Sequence, residues 1–462
     1  MAFEKNINDV SSDEEVENIE MEGTEESGSE EDGEDMEENT ANGESSTSRI
    51  YLPGSSSQTD VELECDESAY RCFHAVKTAS SCLSFDIIPD ELGDDRANAY
   101  PLTMSIVGGT QGEKKHLNNL LVMRFSNMGS TKGKKEEDEE SEESDSESDD
   151  EDSKPVIECA SVRHSGCVNR VKVANLDGKV LAASWSETAK VFLWDLSRPL
   201  QAVNDPRIMT CYIQSNESPQ PLFTFGGHLS EGYAVEWSPL VPGMLASGDC
   251  KKNIHLWKPM EGGTWHVDQR PYTAHTDSVE DIAWSPNERN VMASCSIDKT
   301  IRIWDIRVTS NKACMLTREN AHDSDVNVIS WNKQEPFILS GGDDGKLRVW
   351  DLRKFPTGDP ICTFKHHTAP ITSVEWHPTD LSVFAASGAD DQLTQWDLST
   401  ERDETLEDQK DLSPEVLALP PQLLFVHQGQ KEIKELHWHK QMPGVLVSTA
   451  QNCVNVFRTV SV

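Results

Sequence analysis

The chain has 462 residues, enough for two or three ordinary domains or one large repeat domain, and a hydrophobic content of 36% can build a core. Its formal charge of −40 is concentrated: residues 1–48 hold 18 acids against one lysine (−17) and residues 136–152 hold thirteen acids (−13), so the other 397 residues carry only about −10. No apolar run approaches the roughly 18 residues of a membrane span, the polar opening MAFEKNINDV does not read as a secretory leader, and eleven scattered cysteines without a C-x-x-C pair suit a reducing compartment and argue against zinc.

Residues 1–60 form an acidic tail, too dense in like charge to bury anything and therefore expected to be disordered. Residues 61–99 contain a helix-like run, Asp66 to Val76, followed by an apolar strand. Two strand-like segments come next, YPLTMSIVGGT and NNLLVMRF, within residues 100–125.

Residues 126–154 interrupt these strands with a loop whose centre, 136–152, reads EEDEESEESDSESDDED. Glu136, Glu137, Asp138, Glu139 and Glu140 open that run, and Asp149, Asp150, Glu151 and Asp152 close it. Such a tract either keeps the chain soluble or attracts a strongly basic protein, such as a histone or a ribosomal protein, by long-range steering. It repels phosphates, so direct binding to nucleic acid is not expected. Ser144, Ser146 and Ser148 are each followed closely by acids, the context preferred by an acid-directed kinase such as casein kinase two.

From residue 160 an internal repeat takes over. A histidine is followed about 29 positions later by an aromatic residue: His164 to Trp194, His228 to Trp257, His275 to Trp304, His322 to Trp350, His367 to Trp396 and His427 to Phe457. Between them lie tryptophan-bearing segments (AVEWSP, DIAWSP, VISWNK, SVEWHP, ELHWHK), and alternating runs such as TIRIWDIR and KLRVWDLR follow. The period is two, which predicts strands.

This pattern resembles the WD-repeat family, which implies an all-β, seven-bladed β-propeller of four-stranded blades over residues 100–462. The resemblance also implies a structural tetrad in each complete blade, in which a turn Asp binds His, His reaches Ser, and Ser reaches Trp. His275, Ser294, Asp298 and Trp304 match all four positions, as do His322, Ser340, Asp344 and Trp350. His367, Asp390 and Trp396 match three, with Ala386 in place of the serine, and the first two units carry Thr188 and Lys251 where the aspartate would stand. The histidines are therefore read as structural. The missing seventh blade is assigned to residues 100–125 paired with chain near the C-terminus.

A helix ahead of the first blade and an acidic insert (401–421) ending in Pro-Pro resemble the histone-binding WD-repeat proteins, in which these two parts form a side groove for a basic amphipathic helix. The residues carried over are Tyr70 and His74 on the helix-like run, Asp403, Glu404, Glu407 and Asp408 in the insert, and Pro420 and Pro421 after it. The acidic loop and glutamate-rich tail resemble a neighbouring branch, the glutamate-rich WD-repeat proteins. That resemblance implies a nuclear and nucleolar, monomeric, cofactor-free chaperone of a large-subunit ribosomal protein, with a histone-binding chromatin role as the alternative. A third reading comes from Arg307 and Arg353, which match the Trp-Asp-x-Arg pattern of substrate receptors that dock on the adaptor of cullin-type ubiquitin ligases, although Arg in this place can also be merely solvated. No phosphate loop, nucleophile motif or metal-ligand cluster suggests an enzyme.

Overall fold

The computed structural model describes residues 65–462 except 79, 113, 132–153, 216–218, 403–417 and 452. The described residues form seven four-stranded antiparallel sheets: six are meanders whose first strand is innermost, and the seventh is a three-strand meander completed on its outside by Tyr70–Lys77. Successive innermost strands touch: Cys82–Ile88, Val168–Leu176, Val235–Trp237, Val279–Trp284, Val326–Trp331, Ile371–Trp376 and Glu435–Trp438, and the last touches the first. That closed ring is the seven-bladed propeller.

Its cohesion lies between blades. Each sheet buries both faces against its neighbours, so the repeated tryptophans become interblade filler; Trp185, Trp257, Trp304, Trp350, Trp396 and Trp438 are all fully buried. A second tryptophan series latches the inner strands together, with Nε1 of Trp237, Trp284, Trp376 and Trp438 donating to the carbonyls of Lys172, Glu236, Ser330 and Glu375 on the preceding blade, at 2.8–3.2 Å.

The closure of the ring differs from the sequence expectation. The run Asp66–Val76 is not a helix: a single 3-10 turn, Glu67–Ala69, leads into the strand Tyr70–Lys77, which pairs with Cys453–Thr459 as the outer strand of the seventh blade. Cys72 and Val76 pack on one side of this strand and Tyr70 and Phe73 on the other, across a bulge at Tyr70–Cys72, so both faces suit a strand, and pairing with a distant segment overrides the weak local helical preference. Residues 100–125 do not pair with the C-terminus either. Leu102–Thr110 and Asn119–Met128 are the middle strands of a complete first blade, flanked by Cys82–Ile88 and Val156–Arg163. The propeller thus begins at Tyr70, not at residue 100, and pairing Tyr70–Lys77 with Cys453–Thr459 completes the seventh blade and closes the ring.

Two helices were not foreseen: α1 (Ser197–Asn204) and α2 (Pro206–Gln214), inserted between the third and fourth strands of the second blade. Asp205 caps α2 by accepting from Arg207 N, and Pro206 occupies its first turn. Helix α1 packs on the outer strand of the first blade, and Tyr212 Oη donates to Ser161 O on that strand. No helix among the described residues is long and apolar enough to cross a membrane.

Candidate functional site

In an antiparallel four-stranded meander, the connection between second and third strands and the link to the next blade emerge on one face. The other two connections emerge on the opposite face. The histidine loops and aspartate turns therefore share the first face, and the acid-rich insertions share the second.

On the first face the tetrads are fixed proton chains. In the fourth blade His275 Nδ1 donates to Asp298 (2.9 Å), Ser294 Oγ to His275 Nε2 (2.7 Å) and Trp304 Nε1 to Ser294 Oγ (2.8 Å). The fifth repeats this with His322, Asp344, Ser340 and Trp350 at 2.8–2.9 Å. Burial lowers the pKa of His275 and of His322; burial also opposes charge on Asp298 and Asp344, but their histidine hydrogen bonds prevail and hold both below the usual carboxylate range. Both ring nitrogens are engaged in each histidine, which leaves none to serve as a base.

Two substitutions in this pattern escaped the sequence reading. The third blade does have its aspartate: Asp249, two residues before Lys251, bonds His228 Nδ1 at 3.0 Å. In the sixth, Thr394 on the neighbouring strand replaces the serine absent at Ala386, bridging His367 Nε2 (2.9 Å) and Trp396 Nε1 (2.8 Å). In the second blade the turn acid, Glu187, accepts from Cys167 N (3.1 Å) and not from the histidine, and His164 Nδ1 donates instead to Gly166 O (2.8 Å).

The same face carries carboxylates outside the tetrads. Burial, then Asp325 and Asp281, push the Glu280 carboxyl up against the pull of Arg170; burial, then Asp343 and Asp277, push up Asp325. Tyr233 is raised by burial and by Glu231 and Glu280, which puts these groups in one patch across the third to fifth blades. Side-chain amides position two of them: Asn169 donates to Glu231 (3.0 Å) and Asn327 to Asp343 (2.8 Å). Burial is the first cause of both upward shifts and neighbouring acids add to it against the pull of Arg170 and Lys299, so an incoming lysine or arginine is favoured here.

The channel between the faces is compensated. Arg170 and Lys172 reach Glu435 at 2.8 and 3.0 Å, and Ser84 Oγ and Phe85 N donate to its other oxygen. Burial and Lys172 act against charge on His437, yet Glu375 and Glu435 hold its pKa up at about 9. Glu236 has no such close ion pair among the described residues, and burial lifts it to about 7. The described residues include no group of three His, Cys, Asp or Glu side chains able to hold a metal.

The opposite face gathers the anchors of the acid-rich segments. The loop containing residues 136–152 leaves the first blade at Thr131, whose hydroxyl donates to Tyr70 O (2.7 Å), and returns at Lys154, whose carbonyl accepts from Asn127 (3.0 Å). The insert leaves the sixth blade after Arg402, which donates to Leu419 O (2.7 Å), and returns before Pro420 and Pro421, both half-buried. The N-terminal segment joins through Ala69, whose carbonyl accepts from Val460 N (3.0 Å). Sixth, seventh and first blades are consecutive, so three acid-rich stretches start from one arc of one face.

Asp403, Glu404, Glu407 and Asp408, the loop acids Glu136 to Asp152 and Ser144, Ser146 and Ser148 lie outside the described residues. Tyr70 and His74, expected to meet a partner, are engaged internally. Tyr70 is buried with its hydroxyl on His427 Nδ1 (2.8 Å), and His74 Nε2 bonds Gly129 O (2.9 Å). Arg307 and Arg353 stand on the second face in matching poses, each gripping its own Asp305 or Asp351 through Nε and Nη2 at 2.6–3.1 Å.

Comparison with known proteins adds two kinds of likeness. The chain matches the WD domain, G-beta repeat family at residues 267–305, 313–351 and 358–397, and a family of histone-binding proteins, described by RBBP4 and a component of the CAF1 complex, at residues 60–129. It is 42% identical over 437 residues to ribosome assembly protein rrb1 of Schizosaccharomyces pombe (92% of this chain, 88% of that protein). It is 41% identical over 432 residues to protein HEAT STRESS TOLERANT DWD 1 of Arabidopsis thaliana (88% and 90%). To glutamate-rich WD repeat-containing protein 1 of Dictyostelium discoideum it is 39% identical over 410 residues (87% and 83%).

Proposed function

The chain belongs to the glutamate-rich WD-repeat family, the group of the ribosome assembly protein of fission yeast, and from that membership we propose that it is a non-enzymatic, nuclear and nucleolar chaperone that shields a basic client, a large-subunit ribosomal protein, before assembly. The observation that carries this reading is the group of carboxylates Glu231, Glu280, Asp325 and Asp343 on the first face, two of them fixed by Asn169 and Asn327, with Glu280 and Asp325 pushed up by burial and by neighbouring acids. A basic segment laid there relieves the crowding. The thirteen carboxylates of residues 136–152 supply the long-range attraction that brings it.

Histones are the second candidate client, favoured by the match to the histone-binding family over residues 60–129. A third reading, docking on a ligase adaptor, draws on the paired, outward Arg307 and Arg353. Purification of the tagged protein from nuclear extract separates them. A stoichiometric basic protein, released by salt, supports the chaperone reading and its identity decides between ribosomal protein and histone. Recovery of a cullin adaptor that Arg307→Ala with Arg353→Ala abolishes, without any basic partner, rejects it.

A further inference from the structure

The second face holds a feature that neither the tetrads nor the acidic patch uses. Between the first and second blades lies a cavity of 350 Å³, lined on one side by Glu91 and Leu92 and on the other by Leu200 and Asn204 of α1, with Ile88 and Arg124 between them. Leu92 is 65% exposed. A leucine in a floppy loop would need no explanation, but this loop is pinned. Gln441 takes Asp90 N and gives to Asp90 O, both at 2.9 Å, while Arg96 pairs with Asp90 and donates to Gly93 O (3.0 Å) and Thr103 O (2.8 Å). The fold holds Leu92 out beside a hollow whose apolar wall is Ile88, Pro89 and Leu200 and whose remaining lining is polar.

The loop that carries Leu92 is acidic. Glu91 lines the hollow and Asp94 and Asp95 follow on the same loop; all three are exposed and have no cation partner among the described residues, whereas Arg124 is already paired with Glu158 at 3.0 Å. The connection holding Leu92 also belongs to the first blade and to the same face as Thr131 and Lys154, between which the thirteen-carboxylate tract runs.

We propose that this groove seats a short segment of the basic client, one bulky apolar side chain flanked by lysine or arginine, with Leu92 and Leu200 receiving the apolar group and Glu91, Asp94 and Asp95 the flanking cations. The inference rests on the basic-client reading and adds to it a second contact, apart from the carboxylate patch on the first face. It makes recognition depend on an apolar residue as well as on charge, which distinguishes a client from any polycation. Because the loop is already held in place, little ordering cost opposes binding.

The test uses the full chain and two synthetic lysine-rich peptides of equal length and charge, one with leucines at helical spacing and the other with alanines there, followed by fluorescence anisotropy. The intact protein should bind the leucine peptide about tenfold more tightly, as burial of one leucine implies. Leu92→Ser should erase that preference and leave alanine-peptide binding unchanged; Glu91→Lys with Asp94→Lys should weaken both. A preference that survives Leu92→Ser overturns the groove, as does a dimer that Leu92→Ser returns to monomer, since a second copy would then be the occupant. Equal affinity for both peptides also sinks the groove alone, whereas no binding of either at low salt sinks the basic-client reading itself.

Discussion

The fourth and fifth blades and the arc where the ring closes, from the seventh blade to the first, are both rich in acid, but they hold it differently. In the fourth and fifth blades the acids sit in tight turns and on inner strands: Asp298 and Asp344 within tetrads, Asp281 accepting Ile329 N, Asp343 fixed by Asn327. Around the closure the acids belong to the stretches between the anchors Thr131 and Lys154 and beyond Ala69, and the blades there are completed by one-off contacts such as Tyr70 with His427. Fixed acids can make short-range contacts that slow dissociation. A charge-dense tract acts at a distance and speeds encounter. The repeat is kept regular where acids must be placed and relaxed where long connections must leave.

Acid should separate the two regions most strongly. His427 is held at about 4, below its ordinary 6.5, by burial without a carboxylate partner, so its contribution is fully present above 6.5 and is lost as pH falls toward 4, up to ~3 kcal/mol. Burial also lowers His275 and His322, but each keeps an aspartate whose own depressed pKa preserves its contribution until the pH drops below the unfolded carboxylate value near ~3.9. Hydrogen exchange across a pH series should therefore show the strand Tyr70–Lys77 losing protection before Ile301–Asp305 does. Simultaneous loss would mean that closure and regular blades share one stability.

Mutation breaks the comparison from the other side. Asp298→Ala or Asp344→Ala strands a buried histidine and should lower stability by ~1–3 kcal/mol, read by thermal melting. Tyr70→Phe removes one hydroxyl from His427 and should cost ~1–2 kcal/mol, with the loss confined in hydrogen exchange to the seventh blade. Unchanged melting in both aspartate variants would contradict the tetrad assignment.

How much of this was legible follows the same division. The His-to-Trp spacing announces the blades because each tetrad fixes that distance mechanically. Legibility failed where a role moved to another residue: Asp249 takes the part expected at Lys251, and Thr394 that of a serine at Ala386, because the hydrogen bond needs an atom in space and not a place in sequence. It failed again at Tyr70–Lys77, whose partner Cys453–Thr459 lies at the far end of the chain, a pairing no local pattern encodes. Helices α1 and α2 did leave a signal, Asp205 before Pro206, an N-cap followed by a proline suited to a first turn. Of the site, composition conveyed the acid tracts, but the carboxylate patch of Glu231, Glu280, Asp325 and Asp343 is assembled from three blades and exists only in the ring.

The steering role of the tract is the next way to sharpen the contrast. Replacing residues 136–152 by a Gly/Ser linker should slow association with a basic client about tenfold at low salt while leaving the melting temperature nearly unchanged. The difference should shrink toward 1 M salt, where screening acts within about 3 Å. Neutralising Glu280 and Asp325 as Gln and Asn should do the reverse, leaving association nearly intact and speeding dissociation. Stopped-flow measurements with purified client across a salt series resolve both, and equal low-salt association rates for the linker variant and the natural chain would leave the tract as a solubility element.

The smallest effect expected is also the one a cell could adjust. Phosphorylation of Ser144, Ser146 and Ser148 would add about 1.5–2 negative charges at each, so roughly 4.5–6 in all, to the thirteen already present. That is an increment of less than half, and surrounding salt screens it. Association with a basic client should therefore rise by only about twofold at physiological ionic strength, with dissociation unaltered because the fixed acids of the fourth and fifth blades are untouched. The comparison needs protein treated with an acid-directed kinase, the same protein after phosphatase, and a Ser144→Ala, Ser146→Ala, Ser148→Ala variant that the kinase should leave unmodified between 136 and 152. A change in dissociation rate on phosphorylation would show that the tract touches the bound client, and the division between a steering arc and a gripping face would then have to be redrawn.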